Sequence, residues 1–90
     1  MKNENVIEMF IDGATRGKTT NLRIEGDKLI NYGTAIAERE YVNGEYRFTL
    51  NMTKYSSSTS RIQSKMNYLM PQNRVDSVVA NIPMGCTNLL

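Results

Sequence analysis

The spacing of apolar residues changes once along this chain, near Lys54, and this change constrains the fold more than any other feature. Before Lys54, apolar residues recur at every second position. In the segment EYRFTLNM, residues 45–52, one face carries Tyr46, Phe48, Leu50 and Met52. A period of two is typical of a β-strand that buries one face. The first part of the chain is therefore predicted to form a sheet.

Four other segments follow the same alternation and are predicted to be strands, namely VIEMFI, NLRIE, KLINY and TAIAER. In VIEMFI, a strand places Ile7, Met9 and Ile11 on one face and leaves Phe10 on the other. The segments together predict an antiparallel meander of about five strands.

Two dipeptides predict the turns of this meander. Asn43-Gly44 is a strong hairpin signal, because both residues tolerate the positive φ that a type I′ turn requires. Gly26-Asp27 is predicted to form a second tight turn, which joins NLRIE to KLINY.

After Lys54 the apolar period becomes 3.6, which predicts one helix. Its apolar stripe consists of Ile62, Met66, Leu69 and Met70. Ser58 or Thr59 is predicted to cap the N-terminus of the helix by accepting a backbone N–H. Pro71 is predicted to end the helix, because a proline disfavours helical geometry at the preceding residue.

The segment NRVDSVVANI, residues 73–82, fits either a helix or a strand, and its β-branched residues favour a final strand. The predicted fold is therefore α+β: an antiparallel sheet of about five or six short strands with one main helix packed on one face. Ninety residues form one domain, residues 1–90, with irregular tails predicted at residues 1–4 and 83–90.

Histidine is absent, and Cys86 is the single cysteine. An internal disulfide is therefore excluded, and the chain lacks both the usual general base and the commonest transition-metal ligand. We predict no metal site and no cofactor. The N-terminus lacks the apolar run of a signal peptide, and no segment approaches the roughly 18 apolar residues of a membrane span. We expect a cytoplasmic protein that does not bind membranes.

Three patterns resemble catalytic motifs but favour simpler interpretations. Residues 13–20, GATRGKTT, resemble the phosphate-binding loop G-x-x-x-x-G-K-[ST], but the glycines are one residue too close and a strand pattern follows. Glu38 and Glu40 share a strand face, which does not suggest an acid–base pair across a cleft. A serine nucleophile would need a lysine as its base. We predict no enzymatic activity, and a flexible basic loop with Arg16 and Lys18 at its tip.

The distribution of charge indicates a partner. Residues 46–75 contain five bases and no acid, whereas residues 1–45 contain eight acids and six bases. Such asymmetry is typical of proteins with a polyanionic partner. The flank of the predicted helix is either a binding surface or an ordinary solvated face. The binding interpretation predicts a site formed by Arg47, Lys54, Tyr55, Ser56, Arg61, Lys65 and Tyr68.

Two segments, INYGTAIAER and TKYSSSTSRIQ, resemble a small, largely uncharacterised domain of bacteriophage and prophage proteins. In that family a tyrosine-glycine step, an IA-x-R strand and a Y-S-x-x-T-S-x-x-Q segment follow one another. The matching residues here are Tyr32, Gly33, Ile36, Ala37 and Arg39, then Lys54, Tyr55, Ser56, Thr59, Ser60 and Gln63. The resemblance implies a phage-type cytoplasmic protein and no specific activity.

We therefore expect a non-enzymatic phage-type accessory protein. Its predicted partner is a bacterial protein or protein–nucleic-acid complex, such as a nucleic-acid-handling or defence complex that it inhibits in the manner of an anti-CRISPR protein. Direct nucleic-acid binding through the basic helix face is an alternative, and a minor virion or assembly component, with self-association of the chain, is another.

Overall fold

The computed structural model describes residues 1–90. It contains two α-helices, six strands and one short 3₁₀ turn. In chain order the elements are α1 (Asn3–Ile11), β1 (Arg16–Lys18), β2 (Leu22–Glu25), β3 (Lys28–Asn31), β4 (Thr34–Val42), β5 (Glu45–Asn51), α2 (Ser57–Leu69), the 3₁₀ turn (Gln72–Arg74) and β6 (Val75–Val79). The fold is α+β, as the sequence predicts.

The six strands form one mixed sheet, in which every strand lies beside its neighbour in sequence. The pairings from β1 to β5 are antiparallel, but β6 pairs with β5 in parallel. The prediction of a strand within residues 73–82 is confirmed, whereas the prediction of a wholly antiparallel sheet is wrong. The reason is that α2 is the crossover between β5 and β6, and it returns the chain to the end where β5 begins.

The N-terminal segment forms α1 rather than the predicted strand. Its buried residues are Val6, Ile7, Phe10 and Ile11, whose spacing of one, three and one residues marks the face of a helix. A strand would leave Phe10 without a packing partner, whereas the helix buries its ring at 5.9 Å from the ring of Phe48. Because α1 begins at Asn3, the irregular tail predicted for residues 1–4 is shorter than expected.

Both helices pack on the same face of the sheet and enclose the core. Its members are Val6, Ile7, Phe10, Ile11, Leu22, Ile24, Leu29, Ile36, Ala37, Phe48, Leu50, Ile62, Met66 and Met70. The inward stripe predicted for α2 is therefore confirmed, with Leu69 only partly buried. Neither α1, with nine residues, nor α2, with 13, is long and apolar enough to cross a membrane.

The chain after β6 runs along the sheet without forming a helix or strand. The N–H of Ala35 donates to the carbonyl of Cys86 at 2.9 Å, and the N–H of Leu89 donates to Oε1 of Glu38 at 2.9 Å. The last residues are thus attached to β4, although Leu90 itself is exposed.

Two hairpins have two-residue turns with positive φ at both positions. Asn43 and Gly44 have φ values of 51° and 83°, which confirms the predicted type I′ turn between β4 and β5. Tyr32 and Gly33, between β3 and β4, have values of 49° and 82°. The second turn has nearly the same φ values as the first but carries a tyrosine where the first carries an asparagine.

Candidate binding surface

The hydroxyl-rich segment before α2 is part of an internal hydrogen-bond network. Ser56 caps the helix, because its Oγ accepts the backbone N–H of Thr59 at 3.2 Å. The predicted caps, Ser58 and Thr59, are wrong, since the extended backbone that a cap requires occurs at Ser56. Thr59 instead turns its hydroxyl inward and donates to Oδ1 of the buried Asn31 at 2.8 Å.

A second group of internal hydrogen bonds involves three more side chains. Nδ2 of Asn51 donates to the hydroxyl of Tyr55 at 2.9 Å, and that hydroxyl donates to the carbonyl of Ile82 at 2.7 Å. Nε2 of Gln63 donates to the carbonyl of Asn51 at 2.8 Å. No buried side-chain nitrogen or oxygen lacks a partner. Because Tyr55 and Ser56 are engaged in these bonds, we do not include them in the candidate surface.

Arg47 lies apart from the other predicted site residues. Its neighbour in β5, Phe48, points into the core beneath the helices, so Arg47 points to the opposite face of the sheet. There its Nη2 lies 2.6 Å from Oδ1 of Asp76, and its Nη1 contacts Glu45. The hydrogen bonds that Arg47 donates to Asp76 and, to a lesser extent, to Glu45 raise the pKa of Arg47 above its ordinary value. Two carboxylates thus compensate its charge.

Lys65 lies on α2 as predicted but carries an ion pair. Its Nζ is 2.9 Å from Oε2 of Glu4 on α1. The hydrogen bond from Lys65 is the main reason why the pKa of Glu4 lies below its ordinary value. Because both side chains are partly exposed, the pair contributes little to stability. It does reduce the positive charge that α2 presents to a partner.

Arg61 and Tyr68 remain available on the outside of α2. Arg61 is exposed and takes part in no ion pair, and Tyr68 is 88% exposed. We refer to the exposed Arg61, Ser64, Lys65 and Tyr68 as the α2 outer face. Lys54, also exposed, precedes the helix. The outer face is the part of the predicted site that the structure brings together.

Arg16 and Lys18 belong to β1 at one edge of the sheet, not to a flexible loop as predicted. Backbone pairing with β2 fixes the strand, with Arg16 opposite Glu25 and Gly17 opposite Ile24. Both bases are exposed, and neither forms an ion pair. The strand also removes any likeness to a phosphate-binding loop, whose lysine must lead into a helix.

Arg39 is a residue whose role the sequence analysis missed. It is 2% exposed, and its guanidinium donates to the carbonyls of Phe10 (2.5 Å), Gly13 (3.2 Å), Ala14 (2.7 Å) and Gly26 (3.0 Å). Nε also lies 3.2 Å from a carboxylate oxygen of Asp27. Arg39 thus fastens the C-terminal end of α1 to the β2–β3 turn. Its position two residues after the inward-facing Ala37 was the available signal.

A second feature that the sequence analysis missed is a shallow surface depression of about 660 Å³ beside Tyr32. It is lined by Lys18, Thr19, Thr20, Asn21, Leu22, Arg23, Tyr32 and Gly33. A neighbouring depression of about 510 Å³ is lined by Met1, Lys2, Asn3, Glu4, Thr19, Thr20, Asn21 and Lys65. The two share the loop of residues 19–21, and we refer to them together as the furrow.

No group of three or more cysteine, aspartate and glutamate side chains is arranged to hold a metal ion. Cys86 is a free, partly buried thiol in the C-terminal segment. In comparisons with known proteins, the chain matches no family model, no curated protein and no solved structure.

Proposed function

We propose that this chain is a non-enzymatic accessory protein that binds a bacterial protein complex through the α2 outer face. The observation that carries the proposal is Tyr68, which is 88% exposed on a helix whose opposite side is anchored in the core. An aromatic side chain held this far out of the fold contributes almost nothing to folding. It offers a large apolar area to a partner.

The neighbours of Tyr68 support a role in recognition. Arg61 lies two turns earlier on the same side of α2, and the exposed Ser64 between them is small. Tyrosine and arginine are among the residues that most often dominate the binding energy of protein interfaces. Both long side chains are exposed and can enter pockets of a partner.

The charges near the α2 outer face favour a protein partner over a bare polyanion. Lys65 is paired with Glu4, and Arg47 is paired on the opposite face of the sheet. Arg61 is then the only base of the outer face without an ion pair. Nucleic-acid affinity that depends on phosphate contacts grows with the number of free bases. Lys54, which precedes the helix, also forms no ion pair. So few free bases support recognition of a protein surface better than they support binding along a nucleic-acid backbone.

The phage-type assignment within this proposal rests on the resemblance described above. The residues that carry the resemblance include Arg39, Tyr55, Thr59 and Gln63, which form the internal bonds of the fold. The resemblance therefore concerns how the chain folds. The bacterial complex, and inhibition of a nucleic-acid-handling or defence machine in the manner of an anti-CRISPR protein, follow from the phage-type assignment and the small size.

The test is affinity capture from bacterial lysate, with nucleic acid retained in one arm and digested in the other. We compare the wild type with the double variant Arg61→Glu/Tyr68→Ala. The matched control, Arg16→Glu/Tyr41→Ala, changes the same residue types at exposed positions of β1 and β4. We expect a stoichiometric protein partner that survives nuclease treatment, is lost with the α2 variant and is retained with the control.

Two outcomes would contradict the proposal. One is capture of the same partner by the α2 variant and the wild type, which would place the interface elsewhere. The other is the absence of any stoichiometric protein partner. Circular dichroism of both variants establishes that they are folded, which is expected because all four substituted side chains are exposed.

A further inference from the structure

The turn between β3 and β4 holds a tyrosine in a conformation that tyrosine rarely adopts. Tyr32 has a φ of 49°, in the left-handed region that glycine and asparagine tolerate best. The equivalent turn between β4 and β5 uses Asn43 at a φ of 51°. The chain therefore has a favourable residue at one turn and an unfavourable one at the other, although the two turns have nearly the same φ values.

No folding role of Tyr32 accounts for this. Its side chain is 62% exposed, its hydroxyl forms no hydrogen bond within the chain, and its ring does not belong to the core. Strained backbone that contributes nothing to packing is characteristic of functional positions. The fold thus exposes the aromatic ring of Tyr32 at the surface, although the backbone there adopts a conformation that tyrosine disfavours.

Tyr32 lines the first depression of the furrow, and the charged side chains that line the furrow are mainly basic. The lining of the first depression includes two bases, Lys18 and Arg23, of which Arg23 is paired with Glu25 outside the lining. In the neighbouring depression the lining contains Lys2 and Lys65, and its single acid is Glu4, which Lys65 binds. Lys18 and Lys2 form no ion pair.

The floor of the furrow is fixed before any ligand arrives. The hydroxyl of Thr19 donates to Oδ1 of Asn3 at 2.6 Å and accepts the N–H of Leu22 at 3.2 Å. The carbonyl of Asn21 accepts a bond from the buried Asn31 at 2.8 Å. The loop is thereby attached both to α1 and to the sheet, and a ligand would not have to order it.

We propose that the furrow binds single-stranded nucleic acid, with an unpaired base stacked on Tyr32 and the backbone phosphates beside the unpaired Lys18 and Lys2. An exposed aromatic ring next to a basic groove lined with hydroxyl and amide groups is the combination by which proteins hold single strands. Bases provide the ring faces for stacking, and lysine, arginine and threonine side chains are typical phosphate ligands. In a duplex the faces of the bases stack on one another, so they are not available to the ring of Tyr32.

This site goes beyond the proposed function and does not depend on it. The furrow and the α2 outer face share only Lys65, and their aromatic residues differ. A protein that binds a nucleic-acid-handling complex through Tyr68 would meet the single strand of that complex through Tyr32. Binding of the partner through Tyr68 and binding of the single strand through Tyr32 are tested separately, and either can be wrong without the other.

The experiment is fluorescence anisotropy with a labelled oligothymidine of about 15 nucleotides, its RNA counterpart and a duplex of the same length, at about 50 mM salt. We expect the wild type to bind both single strands and to bind the duplex much more weakly. Tyr32→Asn should weaken single-strand binding roughly tenfold or more, because the stacking platform is lost. Lys18→Ala should weaken binding and reduce the salt dependence by about one phosphate contact.

Three controls make the result decisive. Tyr32→Phe keeps the ring and should bind within about twofold of the wild type. Tyr41→Asn alters an exposed tyrosine outside the furrow, and Tyr68→Ala alters the α2 outer face; neither should change single-strand affinity. Thermal melts of Tyr32→Asn should show a fold at least as stable as the wild type, so that lost binding cannot be attributed to unfolding.

Several outcomes would overturn the proposal. These are the absence of wild-type binding to either single strand, equal binding of duplex and single strand, and unchanged binding by Tyr32→Asn. A further one is loss of the captured protein partner in Tyr32→Asn without any oligonucleotide binding, which would assign the furrow to a protein.

Discussion

Both the inner and the outer side of α2 carry polar residues, but only those on the inner side form buried hydrogen bonds within the fold. On the inner side, Thr59 and Gln63 are 5% and 3% exposed, and each hydrogen-bonds to another part of the fold. On the outer side, Arg61 and Tyr68 are exposed and have no hydrogen-bond partner in the chain. The difference teaches that many hydroxyl and amide groups near a helix can indicate an internal network rather than a binding site. Groups that the fold does not use are the better indicators of function.

The arginines divide in the same way. Arg39 is buried with five hydrogen bonds to the chain, whereas Arg47 is partly exposed and is paired by two carboxylates near the surface. Residue type alone does not separate the two. The side of the sheet that each occupies does.

The largest expected effect is at Arg39. Replacing it with methionine removes the donor of the buried Phe10 carbonyl and of three partly buried carbonyls. A buried acceptor left unsatisfied costs about 1–3 kcal/mol, and four acceptors lose a donor here. Arg39→Lys should rescue little, because an ammonium lacks the planar fork that reaches these acceptors. Arg47→Met should change stability far less. Urea denaturation measures all three, and equal losses at Arg39 and Arg47 would break the distinction between inner and outer arginines.

A smaller loss is expected at Gln63. Gln63→Leu replaces the amide with an apolar side chain of similar size and leaves the carbonyls of Asn51 and Thr53 without their donor. Leaving buried acceptors unsatisfied costs about 1–3 kcal/mol. The matched control is the next residue, Ser64→Ala on the outer side, which should shift stability by no more than about 0.5 kcal/mol. Denaturation midpoints that agree for the two variants would contradict the inner role of Gln63.

At Tyr32, a substitution is expected to increase the stability of the fold. Tyr32→Asn relieves a bulky residue of a left-handed conformation and should stabilise the fold by up to about 1 kcal/mol. The reciprocal variant, Asn43→Tyr, should destabilise the other turn by a similar amount. Thermal melts of both variants test this difference between the two turns. If the exposed Tyr32 lowers the stability of the fold, its presence is explained by contacts outside the chain. A destabilised Tyr32→Asn would instead show that the ring supports the fold.

The smallest effect is expected at the pair between Glu4 and Lys65. The hydrogen bond lowers the pKa of Glu4, so its contribution to stability is present above the ordinary pKa and is lost as pH falls through the lowered value. Glu4→Gln should therefore be slightly less stable than the wild type near pH 7 and equal to it at a pH low enough to protonate Glu4 in the folded protein. Melting temperatures at the two pH values test this. A difference that persists at the low pH would exclude the ion pair as its cause.

Local patterns in the sequence were sufficient for much of the fold. Alternation identified β2 and β5, and Asn43-Gly44 identified a hairpin turn whose positive φ values are observed. The 3.6-residue period gave the inward stripe of α2, and Pro71 marked its end. In each case the residues that decide the structure lie within a few positions of one another.

The candidate site was less predictable, because its availability depends on distant residues. Lys65 meets Glu4 from a position 61 residues away in sequence, and Tyr55 meets Ile82 from 27 residues away. Neither contact can be predicted from the spacing of residues within one segment of the sequence. The sequence placed Arg61, Lys65 and Tyr68 on one flank of a helix, but it did not show which of them were already engaged.

The sequence by itself determined the strands β2 to β5, the main helix and the absence of imidazole and paired thiols, because periodicity, turn chemistry and composition are local or additive properties. Only the tertiary structure decided that the N-terminal segment is a helix, that β6 runs parallel to β5 and that Arg39 is buried. It also decided that Tyr32 stands strained beside a basic furrow. These features depend on which surfaces meet when the chain collapses, and burial and pairing between distant residues then override local preference.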